Sequence, residues 1–243
     1  MKFEKVGIGH VHRYDLREFK GRIFFVSDVH GHFDLLHQAL RDVAFKSDTD
    51  LLFVGGDNCD RGPDSKYVLD YITEPWYISV LGNHDQMYLD GFDSHWHPNN
   101  RSVQCLKAHG GEWIWSMSDL EKILIADCFR GMPLGIELLL PRGRKAGIIH
   151  AETPYADWDK FKEISESELE WDGKAIAQWS RSWYDRGRKD QVKGVDFVLV
   201  GHTPTNTGNV EQHGNMVFTD AGCFFRDKLN LIELNDEFMR SVK

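Results

Sequence analysis

The ten residues from Arg22 to Gly31 read Arg-Ile-Phe-Phe-Val-Ser-Asp-Val-His-Gly, and they decide the fold. Ile23–Val26 is short, apolar and rich in β-branched and aromatic residues, which predicts a buried strand. Asp28 and His30 follow in a loop at the carboxyl end of that strand, where ligands collect in open α/β sheets. Beyond the loop, Asp34 is the predicted cap of a helix whose apolar stripe is Leu35, Leu36, Ala39, Leu40 and Val43. The stretch therefore predicts a strand–loop–helix unit that carries half of a metal site.

The same arrangement, an apolar run followed at once by ligand-type residues, recurs four times. The further predicted strands cover 51–54, 77–81, 146–149 and 197–200, and the residues after them are Asp57 with Asp60, Asn83 with His84, His150, and His202. Any one of these has an ordinary explanation, since Asp60 beside Arg61 also suits a local ion pair. Five of them at one edge of a sheet predict a shared site.

Composition limits the classes of protein to which the chain can belong. Its 243 residues can bury one large core, so we expect a single α/β domain. The net charge of −9 argues against binding to nucleic acid or to a membrane surface. No stretch approaches the ~20 apolar residues that span a bilayer, and the first residues lack the apolar core of a secretory leader. The four cysteines are scattered, which predicts free thiols and a cytoplasmic protein.

Elsewhere the patterns predict the following elements. Residues 1–21 are polar and predict a ragged N-terminal extension, with His10 and His12 as an alternative metal-binding pair. The cluster 113–115 (Trp-Ile-Trp) predicts core packing. Helices are predicted over 65–72, 86–89, 123–128 and most of 156–193, a surface loop over 93–101, a hairpin from 134–140 and 146–149, and strands over 216–219 and 229–234.

The ligand types indicate the chemistry. Carboxylate, imidazole and amide ligands together suit manganese, iron or zinc better than calcium. They are too many for one ion, whereas two ions about 3.5–4 Å apart that share a carboxylate use them all. A water that bridges two such ions becomes hydroxide near neutral pH and attacks a phosphate in line. His84 then suits the acid for the leaving alkoxide, with Asp60 to orient it. Arg61 and a second arginine suit the phosphate oxygens.

Five motifs, met in order, resemble the metallophosphoesterases and, within them, the phosphoprotein phosphatases. They are Asp28 to Gly31, Gly56 to Gly62, Gly82 to Asp85, His150-Ala151 and Gly201 to Pro204. The likeness to the bacteriophage lambda and bacterial serine/threonine/tyrosine phosphatases runs from about residue 20 to about residue 234. It implies a calcineurin-like α/β fold, a central mixed β-sandwich flanked by helices. It also implies a phosphomonoesterase whose substrate is a phosphorylated protein or peptide.

The resemblance assigns a role to each matched residue. It implies one metal ion held by Asp28, His30 and Asp57, and a second held by Asp57, Asn83, His150 and His202. It implies an acid pair of Asp60 and His84, and a phosphate clamp of Arg61 and Arg181. Arg181 rests on the short match Trp179-Ser180-Arg181, and Arg186 and Arg188 are nearby alternatives.

Two departures bear on the subfamily. Many phosphodiester-cleaving relatives end with Gly-His-x-His, and Pro204 stands at that last position here, as in the phosphoprotein phosphatases. Asp85 stands where those phosphatases usually have Glu, which resembles the symmetrical diadenosine tetraphosphate hydrolases. Those hydrolases generally lack the first Asp of Asp-Arg-Gly-Pro and the closing Gly-His-Thr-Pro, and this chain has both. A phosphatase is therefore favoured, with the nucleotide hydrolase as the alternative.

A catalytically silent metal-binding scaffold is an alternative from a different class. It predicts that a ligand or an acid residue is missing, and all of these positions are filled in this chain. We expect substrate choice to depend on the surface loops 93–112 and 154–190.

Overall fold

The computed structural model describes residues 4–165 and 167–242. Within them the strands are β1 (Glu4–Ile8), β2 (Val11–Asp15), β3 (Ile23–Val26), β4 (Leu51–Val54), β5 (Tyr77–Ser79), β6 (Gly135–Leu139), β7 (Lys145–Ile149), β8 (Phe197–Val200), β9 (Glu211–His213), β10 (Met216–Phe218) and β11 (Ile232–Glu233). The α-helices are α1 (Phe33–Asp42), α2 (Leu69–Ile72), α3 (Asn83–Asp93), α4 (Arg101–Ala108), α5 (Asp119–Arg130), α6 (Trp158–Glu163), α7 (Glu170–Trp179), α8 (Ser182–Asp185), α9 (Cys223–Arg226) and α10 (Asp236–Ser241). Short 3-10 helices cover Ser65–Tyr67, Gly111–Ser116 and Pro141–Gly143.

The strands form two mixed sheets. The large sheet has the order β1-β2-β6-β7-β8-β10-β9, and the small sheet has the order β11-β3-β4-β5. In the small sheet β3, β4 and β5 run parallel, with Ile23 opposite Leu51 and Leu52 opposite Tyr77. In the large sheet β7 and β8 are parallel, whereas β6 and β7 form an antiparallel hairpin. The predicted hairpin is therefore confirmed.

An apolar layer between the two sheets makes them a sandwich. Phe25 and Phe53 from the small sheet pack in one buried cluster with Leu138, Leu199 and Val217 from the large sheet. Each of these side chains is fully excluded from solvent. The alternation of strand side chains explains this arrangement, because every second residue faces the partner sheet and the others face the helices.

Helices cover both outer faces. The other face of the small sheet, with Phe24 and Leu52, packs against apolar side chains of α1, α3 and α5. The other face of the large sheet, with Val198 and Met216, packs against α6, α7 and α8, where Trp158 and Trp183 are buried. The predicted fold class, a mixed β-sandwich flanked by helices, is confirmed.

The N-terminal region differs from the sequence-based expectation. Where a ragged extension was expected over 1–21, β1 and β2 form an antiparallel hairpin, and β2 pairs in parallel with β6. His10 is buried at the turn with its Nε2 atom 2.7 Å from the carbonyl oxygen of Phe161, so it ties the hairpin to α6. The polar sequence misleads because β1 lies at the edge of the sheet, and the strand that anchors β2, β6, is more than a hundred residues away. Residues 1–3 of the expected extension lie outside the described residues.

Two helix starts also differ. Helix α1 begins at Phe33 with His32 at the cap position, so Asp34 lies in the first turn and is not the cap. Helix α3 begins at Asn83, not at Gln86, because Gly82 takes the cap position and Asp85 accepts its backbone N–H. Asn83 and His84 therefore lie on the first turn of a helix, which holds them more rigidly than the predicted loop would.

Other predicted elements differ in length or continuity, and α4, α9, α10 and β9 were not predicted. The helix predicted over 65–72 divides into a 3-10 helix and α2, and the strand predicted over 229–234 reduces to β11. The 156–193 region is helical in three pieces, as expected. None of the helices in the described residues is long and apolar enough to cross a bilayer.

Candidate active site

The five predicted motifs meet at the carboxyl ends of strands from both sheets. The first three follow β3, β4 and β5 in the small sheet, and the last two follow β7 and β8 in the large one. The sequence predicted a single sheet edge. The site instead lies where the edges of two facing sheets converge, so that a hydrogen bond joins His202 of one sheet to Asp28 of the other.

The backbone at these strand ends is strained. Six predicted site residues have φ between 46° and 70°, the left-handed region that non-glycine residues rarely adopt: Asp28, His30, Asp57, Asp60, Arg61 and His202. Each such residue costs of order 1–3 kcal/mol and persists only where its surroundings hold it. Close approach adds a further demand, since a Cβ on Gly82 would lie 2.2 Å from Oδ1 of Asp57. Strain of this kind is typical of functional sites.

A first group of candidate ligands contains His30, Asp57 and His84, whose ligand atoms all lie within 4.8 Å of one another. Nε2 of His30 lies 3.4 Å from Oδ2 of Asp57, and its Nδ1 lies 3.0 Å from the carbonyl oxygen of Cys59. Because a carbonyl only accepts, Nδ1 carries the proton and Nε2 presents a lone pair to the group. Burial lowers the pKa of His30 well below its usual value, which keeps the imidazole neutral.

A second group contains His150 and His202 and shares Asp57 with the first. Nε2 of His150 lies 3.4 Å from Oδ1 of Asp57, while its Nδ1 lies 2.6 Å from the carbonyl oxygen of Gly55. Nε2 of His202 lies 3.0 Å from the carbonyl oxygen of Trp179, which leaves Nδ1 to face the site. Asp57 therefore directs one oxygen to each group, the arrangement that a bridging carboxylate requires.

Asn83 completes the second group. Its Oδ1 atom lies 2.9 Å from Nε2 of His150 and 2.9 Å from Nδ1 of His202. The amide oxygen and the two imidazole nitrogens meet at one point, and each imidazole has its other nitrogen tied to a backbone carbonyl, so a cation that replaces the Nε2 proton of His150 would find these donors already oriented. These residues fit a divalent cation with mixed nitrogen and oxygen ligands.

The charges of the buried ligands depend on one another. Burial acts to raise the pKa of Asp57, but the imidazoles of His150 and His84 outweigh it and hold that pKa well below its usual range. For His150, burial acts to lower the pKa, and the charge of Asp57 outweighs it and raises that pKa to about 9. Burial, together with the positive charges of His150 and Arg181, lowers the pKa of His202 to about 2.

Asp28 is placed differently from the other predicted ligands. Both of its carboxylate oxygens accept the backbone N–H of His202, at 3.0 and 2.9 Å, and it belongs to neither ligand group found in the described residues. Burial and the neighbouring carboxylate of Asp220 raise the pKa of Asp28 well above its usual value. Asp28 thus holds the His202 loop against the small sheet, beside the two groups.

His84, Asp60 and Arg61 form a chain of contacts on the other side of Asp57. Nδ1 of His84 lies 2.7 Å from Oδ2 of Asp60, and both side chains are buried. The carboxylate accepts the N–H from Nδ1, so Nε2 of His84 is turned toward the open side, where Nη2 of Arg61 lies 3.1 Å away. The Arg61 guanidinium also stacks 4.1 Å above the ring of Phe224. His84 therefore lies within reach of the first ligand group and also contacts Asp60, its partner in the predicted acid pair.

Arg181 is the cap residue of α8, is exposed to solvent and lies near enough to His202 for its charge to act on that imidazole. Buried Glu152 holds this segment, because Ser180 and Ser182 donate their hydroxyls to it at 2.7 and 3.0 Å and Trp183 donates its backbone N–H. Of the two alternatives, Arg188 stacks over Trp183 and pairs with Asp190, so its charge is engaged elsewhere. Arg186 is exposed just beyond α8.

Three contacts in the site were not predicted from the sequence. Trp113 donates its indole N–H to Asp60, although its cluster was expected to be core, and Trp115 of the same cluster is 46% exposed. The Arg61 guanidinium lies over the ring of Phe224, and the Asp220 carboxylate lies beside Asp28. Asp220 follows β10 by two residues, at another strand end of the large sheet, and Phe224 lies in α9 just beyond it.

The sequence profile of the calcineurin-like phosphoesterases matches residues 21–232 of this chain. The chain belongs to that family. Serine/threonine-protein phosphatase 2 from Escherichia coli strain K12 is 33% identical over 203 residues, which cover 82% of this chain and 87% of that protein. A symmetrical bis(5'-nucleosyl)-tetraphosphatase from Serratia proteamaculans is 45% identical over 64 residues, which cover 26% of this chain and 23% of that protein.

Solved structures agree at the level of the fold. A protein serine/threonine phosphatase from Saccharomyces cerevisiae superposes with a TM-score of 0.57 over 88% of this chain and 70% of its own, at 17% identity. Membership of the calcineurin-like phosphoesterases confirms the predicted enzyme class, a phosphoric monoester hydrolase. The fold implies divalent metal ions, and two groups of candidate ligands are present for them.

Proposed function

We propose that this phosphoesterase removes phosphate from phosphoserine and phosphothreonine in proteins, with phosphotyrosine as a further substrate. The observation that carries the proposal is the arrangement around Asp57. One of its oxygens faces His30 and the other faces His150, and each imidazole has its second nitrogen fixed by a backbone carbonyl. A shared carboxylate between two lone-pair clusters suits a pair of divalent ions.

The ligands mix carboxylate, imidazole and amide donors, a set that suits manganese, iron and zinc. Of these we propose manganese as the bound ion. Asp28, His30 and Asp57 would hold one ion, and Asp57, Asn83, His150 and His202 would hold the other. When bound, the two ions supply an activated water and neutralise two oxygens of the substrate phosphate.

The chain's own residues then act on the leaving group and on the phosphoryl charge. Once Arg61 has left Nε2 of His84 for the phosphate, that nitrogen takes up a proton from water and gives it to the leaving oxygen of the serine or threonine, while Asp60 holds the imidazole by Nδ1. Arg61 exchanges its contact with His84 for the phosphate oxygens, and the Phe224 ring supports its guanidinium from one face. Arg181 is the second member of the clamp, anchored through Glu152.

A protein substrate is favoured by the space next to the site and by the extent of the likeness. A groove of about 570 Å³ runs beside the site between α3, α4 and α7, and its walls include Asp90, Arg101, Trp171, Lys174 and Trp179. It has room for residues that flank the phosphorylated side chain. The sequence identity to the serine/threonine phosphatase extends over most of both chains, whereas the identity to the Serratia tetraphosphatase covers 64 residues.

Symmetrical hydrolysis of a dinucleoside tetraphosphate is the second candidate, and the 45% identity to the Serratia tetraphosphatase over 64 residues favours it.

We further propose that the enzyme works in the cytoplasm, because its four cysteines are free thiols. We also propose that it has no nucleic-acid or membrane partners, because its net charge is −9.

The test is hydrolysis by metal-stripped enzyme, with and without added manganese, of a phosphoserine peptide and of diadenosine tetraphosphate. We expect manganese-dependent turnover in which kcat/KM for the peptide exceeds that for the dinucleotide by about tenfold or more. A higher kcat/KM for the dinucleotide would mean that the second candidate is correct. The absence of turnover of either substrate in a metal-replete sample would indicate a catalytically silent scaffold.

A further inference from the structure

Trp113 lies outside the five motifs, yet it contacts the acid pair directly. It belongs to the 3-10 helix Gly111–Ser116, between α4 and α5, and its indole Nε1 donates a hydrogen bond of 2.8 Å to Oδ1 of Asp60. The second oxygen of the same carboxylate, Oδ2, lies 2.7 Å from Nδ1 of His84. The Asp60 side chain is fully buried, so these two partners take one oxygen each.

The indole decides the orientation of the carboxylate. The last torsion of an aspartate side chain is soft and roughly two-fold, so the carboxylate plane is set by its hydrogen-bond partners. With Oδ1 held by Trp113, Oδ2 points at His84. The indole is positioned in turn by buried Tyr88 of α3, on which it stacks with ring centroids 5.9 Å apart and an angle of 17° between the ring planes. The Tyr88 hydroxyl donates to the carbonyl of Lys122 in α5.

The backbone of the same segment supports the loop that carries Asp60. Gly110, with φ of 82°, approaches so closely that a Cβ there would lie 2.7 Å from the backbone nitrogen of Arg61. Asp60 and Arg61 both have positive φ, at 70° and 67°. Strained residues of this kind keep their conformation only when neighbouring structure over-determines it. The segment from Gly110 to Trp113 is the neighbouring structure that holds Asp60 and Arg61 in this conformation.

We propose that Trp113 is a positioning residue for proton transfer to the leaving group, acting through Asp60 on His84. The inference rests on the proposed function, in which His84 is the general acid. It makes the helical segment between β5 and β6 part of the catalytic apparatus. It also means that turnover of phosphoserine and phosphothreonine, whose alkoxides are poor leaving groups, depends on an indole outside the family motifs.

Trp113→Phe tests the inference, because it keeps an aromatic ring and removes the N–H. Trp115→Phe is the matched control, since it lies two residues further along the same helix, is half exposed and contacts Lys107. Both are compared with the parent enzyme at equal bound manganese, on a phosphoserine peptide and on para-nitrophenyl phosphate. The second substrate has a good leaving group and needs little help from an acid.

We expect Trp113→Phe to lower kcat on the peptide by about tenfold to a hundredfold, with KM unchanged and a much smaller loss on para-nitrophenyl phosphate. Trp115→Phe should match the parent enzyme on both substrates. When Asp60→Asn is already present, adding Trp113→Phe should lower kcat on the peptide by less than about twofold, because the two residues act as one unit. Equal losses on the two substrates, or full additivity with Asp60→Asn, would overturn the inference in favour of a packing role.

His84→Asn separates this inference from the proposed function. If His84→Asn shows the loss on the peptide alone and Trp113→Phe does not, the positioning role is wrong and the proposed function stands. If His84→Asn itself loses equally on both substrates, the acid role is wrong and the inference falls with it.

Discussion

Oδ2 of Asp60 lies 2.7 Å from Nδ1 of His84, and both side chains are buried beside Asp57. The contact fixes which nitrogen of His84 faces the open side of the site. An imidazole with one nitrogen held by a carboxylate and the other turned toward the open side, where Arg61 contacts it, has the arrangement of a general acid once a substrate phosphate draws the arginine away.

His84→Asn should therefore lower kcat on a phosphoserine peptide by about 10²–10⁴-fold, because the leaving alkoxide departs without a proton. The measurement is steady-state hydrolysis at saturating manganese. His37→Asn, an exposed histidine of α1, is the control and should leave the rate unchanged. A loss smaller than about tenfold would exclude His84 as the acid.

Asp57→Asn should weaken both metal sites, whereas His30→Ala should weaken only one. The reason is that Asp57 directs an oxygen to each ligand group and His30 belongs to a single group. Manganese bound per chain, measured after equilibrium dialysis, distinguishes the two variants. Asp34→Asn, on the exposed side of α1, serves as the control. Equal metal content in Asp57→Asn and His30→Ala would contradict the shared role of Asp57.

Asp85→Ala should lower the free energy of unfolding by about 3 kcal/mol, since it leaves several buried donors unpaired. The Asp85 carboxylate accepts the backbone N–H groups of Asp57, Asn58 and Gly82 at 3.1, 3.0 and 2.9 Å. Urea unfolding is the measurement, and exposed Asp70→Ala is the control. Because this carboxylate faces loop backbone, Asp85→Glu should leave the preference between peptide and dinucleotide unchanged; a reversal would show that residue 85 selects the substrate.

Asp50 makes stability depend on pH at the acid end. Burial acts to raise the pKa of Asp50, but hydrogen bonds from the side chain and backbone of Arg22 and from the backbone of Lys46 outweigh it and lower that pKa. The stabilisation is therefore present above the unfolded pKa, about 3.9, and is lost as pH falls through the lower folded value.

Asp50→Asn should accordingly cost about 2 kcal/mol of unfolding free energy near neutral pH, and this cost should shrink below about pH 4. Chemical unfolding of both proteins across that range is the measurement, with exposed Asp48→Asn as a neutral comparison. A cost that stays constant with pH would show that the Arg22–Asp50 pair is not responsible.

The sequence predicted those parts of the molecule whose cause is local. A buried strand ends where polar residues begin, so Asp28, Asn83 and His202 could be located from their neighbours alone. The mixed sandwich followed from the order of the motifs and from the family they resemble. Even the partition of the site between two sheets, which the sequence did not predict, leaves each motif at its own strand end.

What the sequence did not predict depends on contacts between distant segments. The β1–β2 hairpin is positioned by the pairing of β2 with β6. The indole of Trp113 contacts a carboxylate 53 residues earlier in the chain. Glu152 looks like part of the His150 motif, but it holds the Arg181 segment through hydroxyls about thirty residues later. No local pattern marks such partners, because they are defined only once the sheets and helices have packed.

We propose that two metal ions, held through Asp57, drive the hydrolysis of phosphoproteins. The most direct test of this proposal is a manganese titration of the metal-stripped chain, with bound metal per chain and the rate of phosphoserine-peptide hydrolysis followed in the same samples. We expect two ions per chain, with full activity reached only when the second is bound. Full activity with one ion bound, or in the absence of added metal, would contradict it.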